Sequence, residues 1–300
     1  MRLGILSVGQ EKLRQDHAVV ELEDCRGRLD VSHALVYRAE QLSVQRDVAL
    51  KVIKWGMDTR EVIARFEAER QALAMMDHPN IARVHDGGAT DTGRPYFVME
   101  LVRGIPITEY CDKNNLTTKE RLELFVDVCR AVQHAHQKGI IHRDIKPSNI
   151  MLPKPDWALL TDFGLATIVG GSFLTQSGMT VGTPAYMSPE QAKGKTVDKR
   201  ADIWAFGVVL FEMLTGRQVF SGETVSETLA AVIKSEPEWN SLPPNLHPRI
   251  RLMLERCLEK KARDRCGTIN DARRDIQKVL ADPSGVFAQP SAGYEPQKRT

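Results

Sequence analysis

The stretch IIHRDIKPSNIML, residues 140–152, constrains the fold of this 300-residue chain more than any other. Asp144, Lys146 and Asn149 fall within six residues directly after an apolar, strand-like step, so an acid, a cation and an amide project from one short loop. A single acid or lysine there would be only a polar turn between a helix and a strand. A second apolar step, LLTDFGLA, follows and ends in Asp162 and Gly164, with Asp162 thirteen residues beyond Asn149. Two such turns in succession are hard to reach by accident.

The chain is longer than one compact core usually needs, so two lobes with a short tail are expected. Residues 35–54 alternate apolar and polar and carry β-branched residues in LVYRAE and DVALKVI, which predicts a hairpin. In TREVIARFEAERQALAMMD the apolar positions recur at helical spacing, and the proline of HPN ends the segment. IARVHDGGA and RPYFVMELV read as two more strands. The first hundred residues are thus expected to form a small antiparallel sheet with one helix. Gly and Pro cluster at 104–106, the expected lobe boundary.

Beyond that boundary the pattern is helical. TTKERLELFVDVCRAVQHAHQKG opens with Thr117 and Glu120 at capping-box spacing, keeps Leu122, Phe125, Val126, Cys129 and Val132 on one stripe, and closes at Gly139. KRADIWAFGVVLFEMLTG is apolar nearly all round, as a central buried helix must be, and Gly216 ends it. ETVSETLAAVIKSE, HPRIRLMLERCLEK and INDARRDIQKVLAD are amphipathic. From Pro283 onward Pro, Gly and Ser occur without periodicity, which predicts a flexible tail.

Lys plus Arg (41) nearly balances Asp plus Glu (39), which leaves no electrostatic footprint for nucleic acid or an anionic membrane. The five cysteines are odd in number and form no C-x-x-C pair, so a reducing, cytoplasmic setting is expected. MRLGILSV is too short for a signal-peptide core, and IWAFGVVLF is about half a membrane span. No membrane segment is expected in this chain.

In the order and spacing of VALK (48–51), HRDIKPSN, DFG, SPE (188–190) and DIWAFG (202–207), the chain resembles the protein kinase superfamily, and within it the bacterial Ser/Thr members. The resemblance spans about residues 35–280. It implies an α+β, bilobal fold: an atypical segment at 1–34, a β-rich N-lobe over 35–103, a mainly helical C-lobe over 104–282 and a tail over 283–300. It also implies transfer of the ATP γ-phosphoryl group to Ser/Thr hydroxyls of protein substrates, with ATP and Mg²⁺ as cofactors. ATP is highly charged, so cations must offset that charge and rigid groups must align the attacking oxygen.

By this resemblance Lys51 meets the inner phosphates and is held by Glu69. Glu67 competes for that role, since the two lie about 200° apart around a helix and cannot both face the strand. Asp144 accepts or orients the substrate hydroxyl proton, and Lys146 stabilises charge on the phosphoryl group. Asn149 and Asp162 are hard oxygen donors suited to Mg²⁺. Glu100 and Val102 offer backbone groups to adenine, Met99 stands behind the base, and Ala49 and Met151 wall it above and below. Arg265 matches the arginine that pairs with Glu190. Thr183 stands where the family contacts the catalytic loop. Arg143 matches a buried cation that awaits phosphate, with Thr175, Ser177 and Thr180 as candidate autophosphorylation sites.

One departure stands out. The three glycine places of the family's phosphate-cradling loop fall on Leu29, Val31 and Ala34. Glycine lets backbone N–H groups approach phosphate at positive φ, which costs other residues about 1–2 kcal/mol each, or roughly tenfold in affinity. Three readings stay open: a kinase with a weakened ATP site, a pseudokinase serving as a nucleotide-binding or scaffold module, and a mis-read first 34 residues. Retention of Lys51, Glu69, Asp144, Lys146, Asn149 and Asp162 together favours catalysis.

Overall fold

The computed structural model describes residues 34–41, 44–53, 73, 76–90, 93, 95–163 and 183–283. The first sheet has four strands, β1 (Ala34–Gln41), β2 (Arg46–Ile53), β3 (Val84–Ala89) and β4 (Pro95–Glu100), in the order β1-β2-β4-β3, all antiparallel. The alternation read from the sequence becomes two faces. Val48, Leu50 and Val52 pack with Tyr96, Val98 and Ala39 in one apolar layer. Period-two geometry turns Ala49 and Lys51 to the other face, where they pair in register with Met99 and Phe97. Phe97 and Met99 belong to the large core that continues into the helical part, and Ala49 packs against it.

Ala34, the last of the three vacant glycine places, opens β1 and pairs with Ile53. Extended backbone suits any residue, so this position needs no glycine. Leu29 and Val31 lie outside the described residues. So do Glu67 and Glu69 and nearly all of the predicted 59–77 helix, of which Leu73 alone is described as helical.

A second sheet, β5 (Ile105–Pro106), β6 (Ile150–Lys154) and β7 (Trp157–Leu160), sits at the entrance to the helical part. The chain therefore passes from one sheet to the other across residues 101–104. Gly104 is required there for space: a Cβ on it would stand 2.6 Å from the Leu152 carbonyl oxygen. The two parts are also tied by backbone. Ala82 donates to the Leu160 carbonyl at 2.9 Å, Leu160 donates to that of Asn80 at 2.9 Å, and the Asn80 amide side chain donates to the Ala158 carbonyl at 2.8 Å.

The helices are α1 (Ile107–Lys113), α2 (Thr118–Gln137), α3 (Pro189–Ala192), α4 (Arg200–Thr215), α5 (Val225–Lys234), α6 (Pro248–Cys257) and α7 (Ile269–Ala281). On α2 the Thr117–Glu120 capping box forms as predicted, and all five residues of the predicted stripe are buried. Gly139 follows it at φ +77°. Twelve of the sixteen residues of α4 are buried, which explains its apolar sequence, and Gly216 closes it in the left-handed conformation. Among the described residues no helix is long and apolar enough to cross a membrane.

Candidate active site

The β6–β7 hairpin brings the two acid-bearing turns together. Ile150 pairs with Leu160, so the residues just outside the hairpin, Asn149 and Thr161, must be neighbours. The Thr161 amide and hydroxyl both bond the Asn149 carbonyl, at 2.9 and 3.3 Å. Thirteen residues of sequence separation thus become one hydrogen-bond step between the loop carrying Asp144 and the turn carrying Asp162.

Within the first loop, Lys146 Nζ lies 2.8 Å from Asp144 Oδ2. The Asn149 side-chain amide donates to the Asp144 carbonyl at 2.7 Å and to its Oδ2 at 3.1 Å, which leaves Asn149 Oδ1 as the atom to face a cation. From the N-lobe, Lys51 reaches across 111 residues of sequence to place Nζ 3.0 Å from Asp162 Oδ1. Lys51 is only 1% exposed, so its ammonium needs a partner, and Asp162 supplies it among the described residues. Burial drives the Asp162 carboxyl up, but the Lys51 charge and hydrogen bond, with help from His142 and Lys146, hold it below the ordinary aspartate value. It is therefore an anion at neutral pH.

Backbone strain marks both turns. Arg143 has φ +66° and Asp162 has φ +61°, a region that costs a non-glycine residue about 1–2 kcal/mol. The surroundings enforce it at Arg143. Asp202 in the first turn of α4, 1% exposed, accepts the His142 amide on Oδ2 at 2.8 Å and the Arg143 amide on Oδ1 at 2.7 Å. His136 Nε2 donates to the same Oδ2 at 2.7 Å. Gln191 of α3 donates to the Arg143 carbonyl at 2.8 Å. The His142 ring bridges the turns: Nε2 meets the Thr161 carbonyl at 2.9 Å, so it carries the proton, and Nδ1 accepts the Asp144 amide at 3.3 Å. Of these supports, sequence reasoning singled out only the DIWAFG segment, as a motif on a central buried helix. His136, His142 and Gln191 went unassigned.

The anticipated Arg265–Glu190 pair forms with bidentate geometry at 2.7 and 2.8 Å. Arg265 also donates to the carbonyls of Arg200 and Glu259, so one guanidinium joins α3, α4 and the loop after α6. Arg143 Nε is buried and finds no acceptor among the described residues. Thr175, Ser177 and Thr180 lie outside them, as does the Thr183 side chain.

Around the expected adenine position, Met99 is buried, Ala49 lies opposite it in the ladder, and Met151 is half-buried on β6. Met99 and Asp162, with Met76, Phe97 and Phe163, line one cavity of about 10 Å³. The Glu100 amide is already committed to the Arg83 carbonyl at 2.8 Å, and Val102 is half-buried on the connecting segment. Among the described residues no three His, Cys, Asp or Glu side chains cluster as a metal cage. One carboxylate and one amide oxygen beside two ammonium groups suit instead a hard cation that takes its remaining ligands from phosphate and water.

Comparison with known proteins agrees with this arrangement. The protein kinase domain family matches residues 32–282. The chain is 37% identical over 253 residues to the serine/threonine-protein kinase PrkC of Bacillus subtilis, covering 82% of this chain and 38% of PrkC. To PknB of Mycobacterium tuberculosis it is 34% identical over 256 residues, covering 81% and 40%. It spans about two fifths of the length of these relatives. The crystal structure of the Mycobacterium tuberculosis PknI kinase domain superposes with a TM-score of 0.66 at 25% identity, covering 93% of this chain and 99% of that one. With family, fold and the paired motifs in agreement, this chain belongs to the protein kinase family, among its bacterial Ser/Thr members.

Proposed function

We propose that this chain transfers the γ-phosphoryl group of ATP to serine or threonine hydroxyls of proteins. The observation that carries the reading is the convergence of Lys51 and Asp162 from two lobes beside the Asp144–Lys146–Asn149 cluster. Bound Mg-ATP supplies the transferable group and the metal charge that offsets its negative oxygens. Asp162 and Asn149 Oδ1 would hold the metal, and Lys51 would meet the inner phosphates. Met99, Ala49, Met151, Val102 and the carbonyl side of Glu100 would frame the base.

The chemistry assigned to this chain's own atoms is modest and local. Asp144 accepts the hydrogen bond of an incoming hydroxyl and takes up its proton as the oxygen attacks. Lys146, already at Asp144 Oδ2, is placed to follow the charge that builds on the phosphoryl oxygens. The Asp202 clamp keeps Asp144 from drifting while this happens. Glu69 is assigned to Lys51 by the family pattern alone. The lobes are assigned to residues 35–103 and 104–282.

The test compares the intact chain with Asp144→Asn, using labelled Mg-ATP and a generic basic acceptor protein. Transfer to Ser/Thr should fall by roughly 10²- to 10⁴-fold in the variant, while its fold is unchanged. Equal labelling by both proteins would remove the enzyme reading, and nucleotide binding without any transfer would favour the scaffold reading.

A further inference from the structure

Lys260 holds an amine against aromatic rings, outside the phosphoryl-transfer site. It follows α6, leads into the turn that carries Arg265, and is half-buried. Its Nζ lies 4.8 Å from the centre of the Trp204 ring and 4.4 Å from that of Phe220, and these two rings stack at 5.5 Å with 9° between their planes. One N–H donates to the Val232 carbonyl at 3.0 Å. A second cation shares the indole: the Arg265 guanidinium stands 5.0 Å from the Trp204 ring, and its Nη2 donates to the Lys260 carbonyl at 3.3 Å.

Lys260 differs from the lysines of that site. Buried Lys51 pairs with Asp162 and half-buried Lys146 with Asp144, whereas no carboxylate pairs with Lys260 among the described residues. An ammonium has three donors, and two rings and one carbonyl replace its lost water only in part, so this setting favours the neutral amine. We propose that Lys260 is a modification site, a nucleophilic amine that small acyl phosphates acylate. The seat suits the product: an acylated lysine keeps one N–H, enough for the Val232 carbonyl, and its uncharged amide suits the apolar ring faces.

The surrounding charges leave that preference in place. Burial lowers the amine most, Glu236 after α5 opposes it, and Arg265 and Lys193 reinforce it, bringing it down to about 8. A substantial share of the amine is therefore unprotonated near neutral pH. In the reaction the unprotonated Nζ attacks the acyl carbon, and the bond from that carbon to the phosphate oxygen breaks. Phosphate leaves with the bonding pair and takes up the proton that the nitrogen sheds. One amine and one acyl phosphate become one amide and one hydrogen phosphate, with no oxidant or reductant consumed.

The experiment incubates the intact chain with acetyl phosphate for times short of completion, then digests it and quantifies acetylation at each lysine by mass. Near pH 7.5 Lys260 should react roughly tenfold faster than the exposed Lys138 and Lys195, since its larger unprotonated share outweighs its lower basicity. Its rate should level off above about pH 8, while theirs go on rising. In urea the preference should vanish, because the rings no longer surround the amine. Acetyl coenzyme A, a bulkier thioester donor, should show a weaker preference for the half-buried Lys260. The proposal is overturned if Lys260 reacts no faster than Lys138 and Lys195, if its pH profile runs parallel to theirs, or if the preference survives in urea. Equal preference from both donors overturns the assignment to acyl phosphates. All of these readings come from the unmutated chain, so none depends on a variant that folds.

Discussion

Replacing Asp202 by asparagine tests the mechanical support of the active site without touching any reacting group. The carboxylate, 1% exposed, accepts three hydrogen bonds: two backbone amides at 2.8 and 2.7 Å and His136 Nε2 at 2.7 Å. Asparagine keeps one acceptor oxygen and turns an NH₂ toward the remaining donors, so at least one buried amide loses its partner. An orphaned buried donor costs about 1–3 kcal/mol, and loss of the anionic acceptor weakens the surviving bond by roughly another 1 kcal/mol. The expected destabilisation is therefore about 2–4 kcal/mol, read as the shift in urea midpoint at constant slope.

A second effect of this substitution is kinetic. The Arg143 turn sits at φ +66° because Asp202 and Gln191 hold it. Freed of the clamp, the turn relaxes and carries Asp144 with it, and a displacement of about 1 Å costs on the order of 10²-fold in rate. Lys51 and Asp162 stand on other elements, so kcat should fall far more than the apparent affinity for ATP changes. Steady-state phosphotransfer at varied ATP separates the two. An Asp202→Asn variant with near-native urea midpoint and undiminished kcat would refute this reasoning.

Two further substitutions probe the frame. The Glu190 carboxyl is pushed up by burial, yet the Arg265 hydrogen bonds and charge hold it below the ordinary glutamate value. Its stabilising contribution is thus present above that ordinary value of about 4.3 and is lost as pH falls through the lower folded value. Arg265→Lys, which forfeits the fork, should flatten the stability profile in that acid window and lower the plateau above it; parallel profiles from pH 3 to pH 7 would contradict the pairing. Gly104→Ala forces a Cβ to within 2.6 Å of the Leu152 carbonyl oxygen, so backbone must shift, at about 1–3 kcal/mol. A melting temperature equal to wild type would show that the approach of the two segments is not tight.

The parts legible from sequence were those with a local signature. Thr117, Glu120 and Gly139 announce both ends of α2, and the unbroken apolar run of α4 announces its burial, because capping and periodicity act within a few residues. The hairpin of β1 and β2 was readable for the same reason. The contact of Lys51 with Asp162 was foreshadowed by motif order, on which the roles proposed for Lys51, Asp144 and Asp162 still rest. What escaped was acceptor geometry between distant segments: the Asp202 carboxylate meets backbone amides some sixty residues away, and amides leave no trace in residue identity. His136 looked like one more polar residue on α2. The left-handed turns at Arg143 and Asp162 escaped too, since neither residue is a glycine.

Beneath all of this lies the claim that Lys51, Asp162, Asn149 and their neighbours receive a magnesium-bound triphosphate even though the glycine places of the phosphate loop are filled by other residues. Calorimetric titration of the intact chain with ATP, in excess Mg²⁺ and again in chelator, addresses it most directly. The account predicts binding that strengthens with magnesium, and an Asp162→Asn variant in which that magnesium-dependent gain falls by about tenfold or more, or roughly 1.4 kcal/mol. Absence of ATP binding, or binding indifferent to both magnesium and the Asp162 carboxylate, would contradict it.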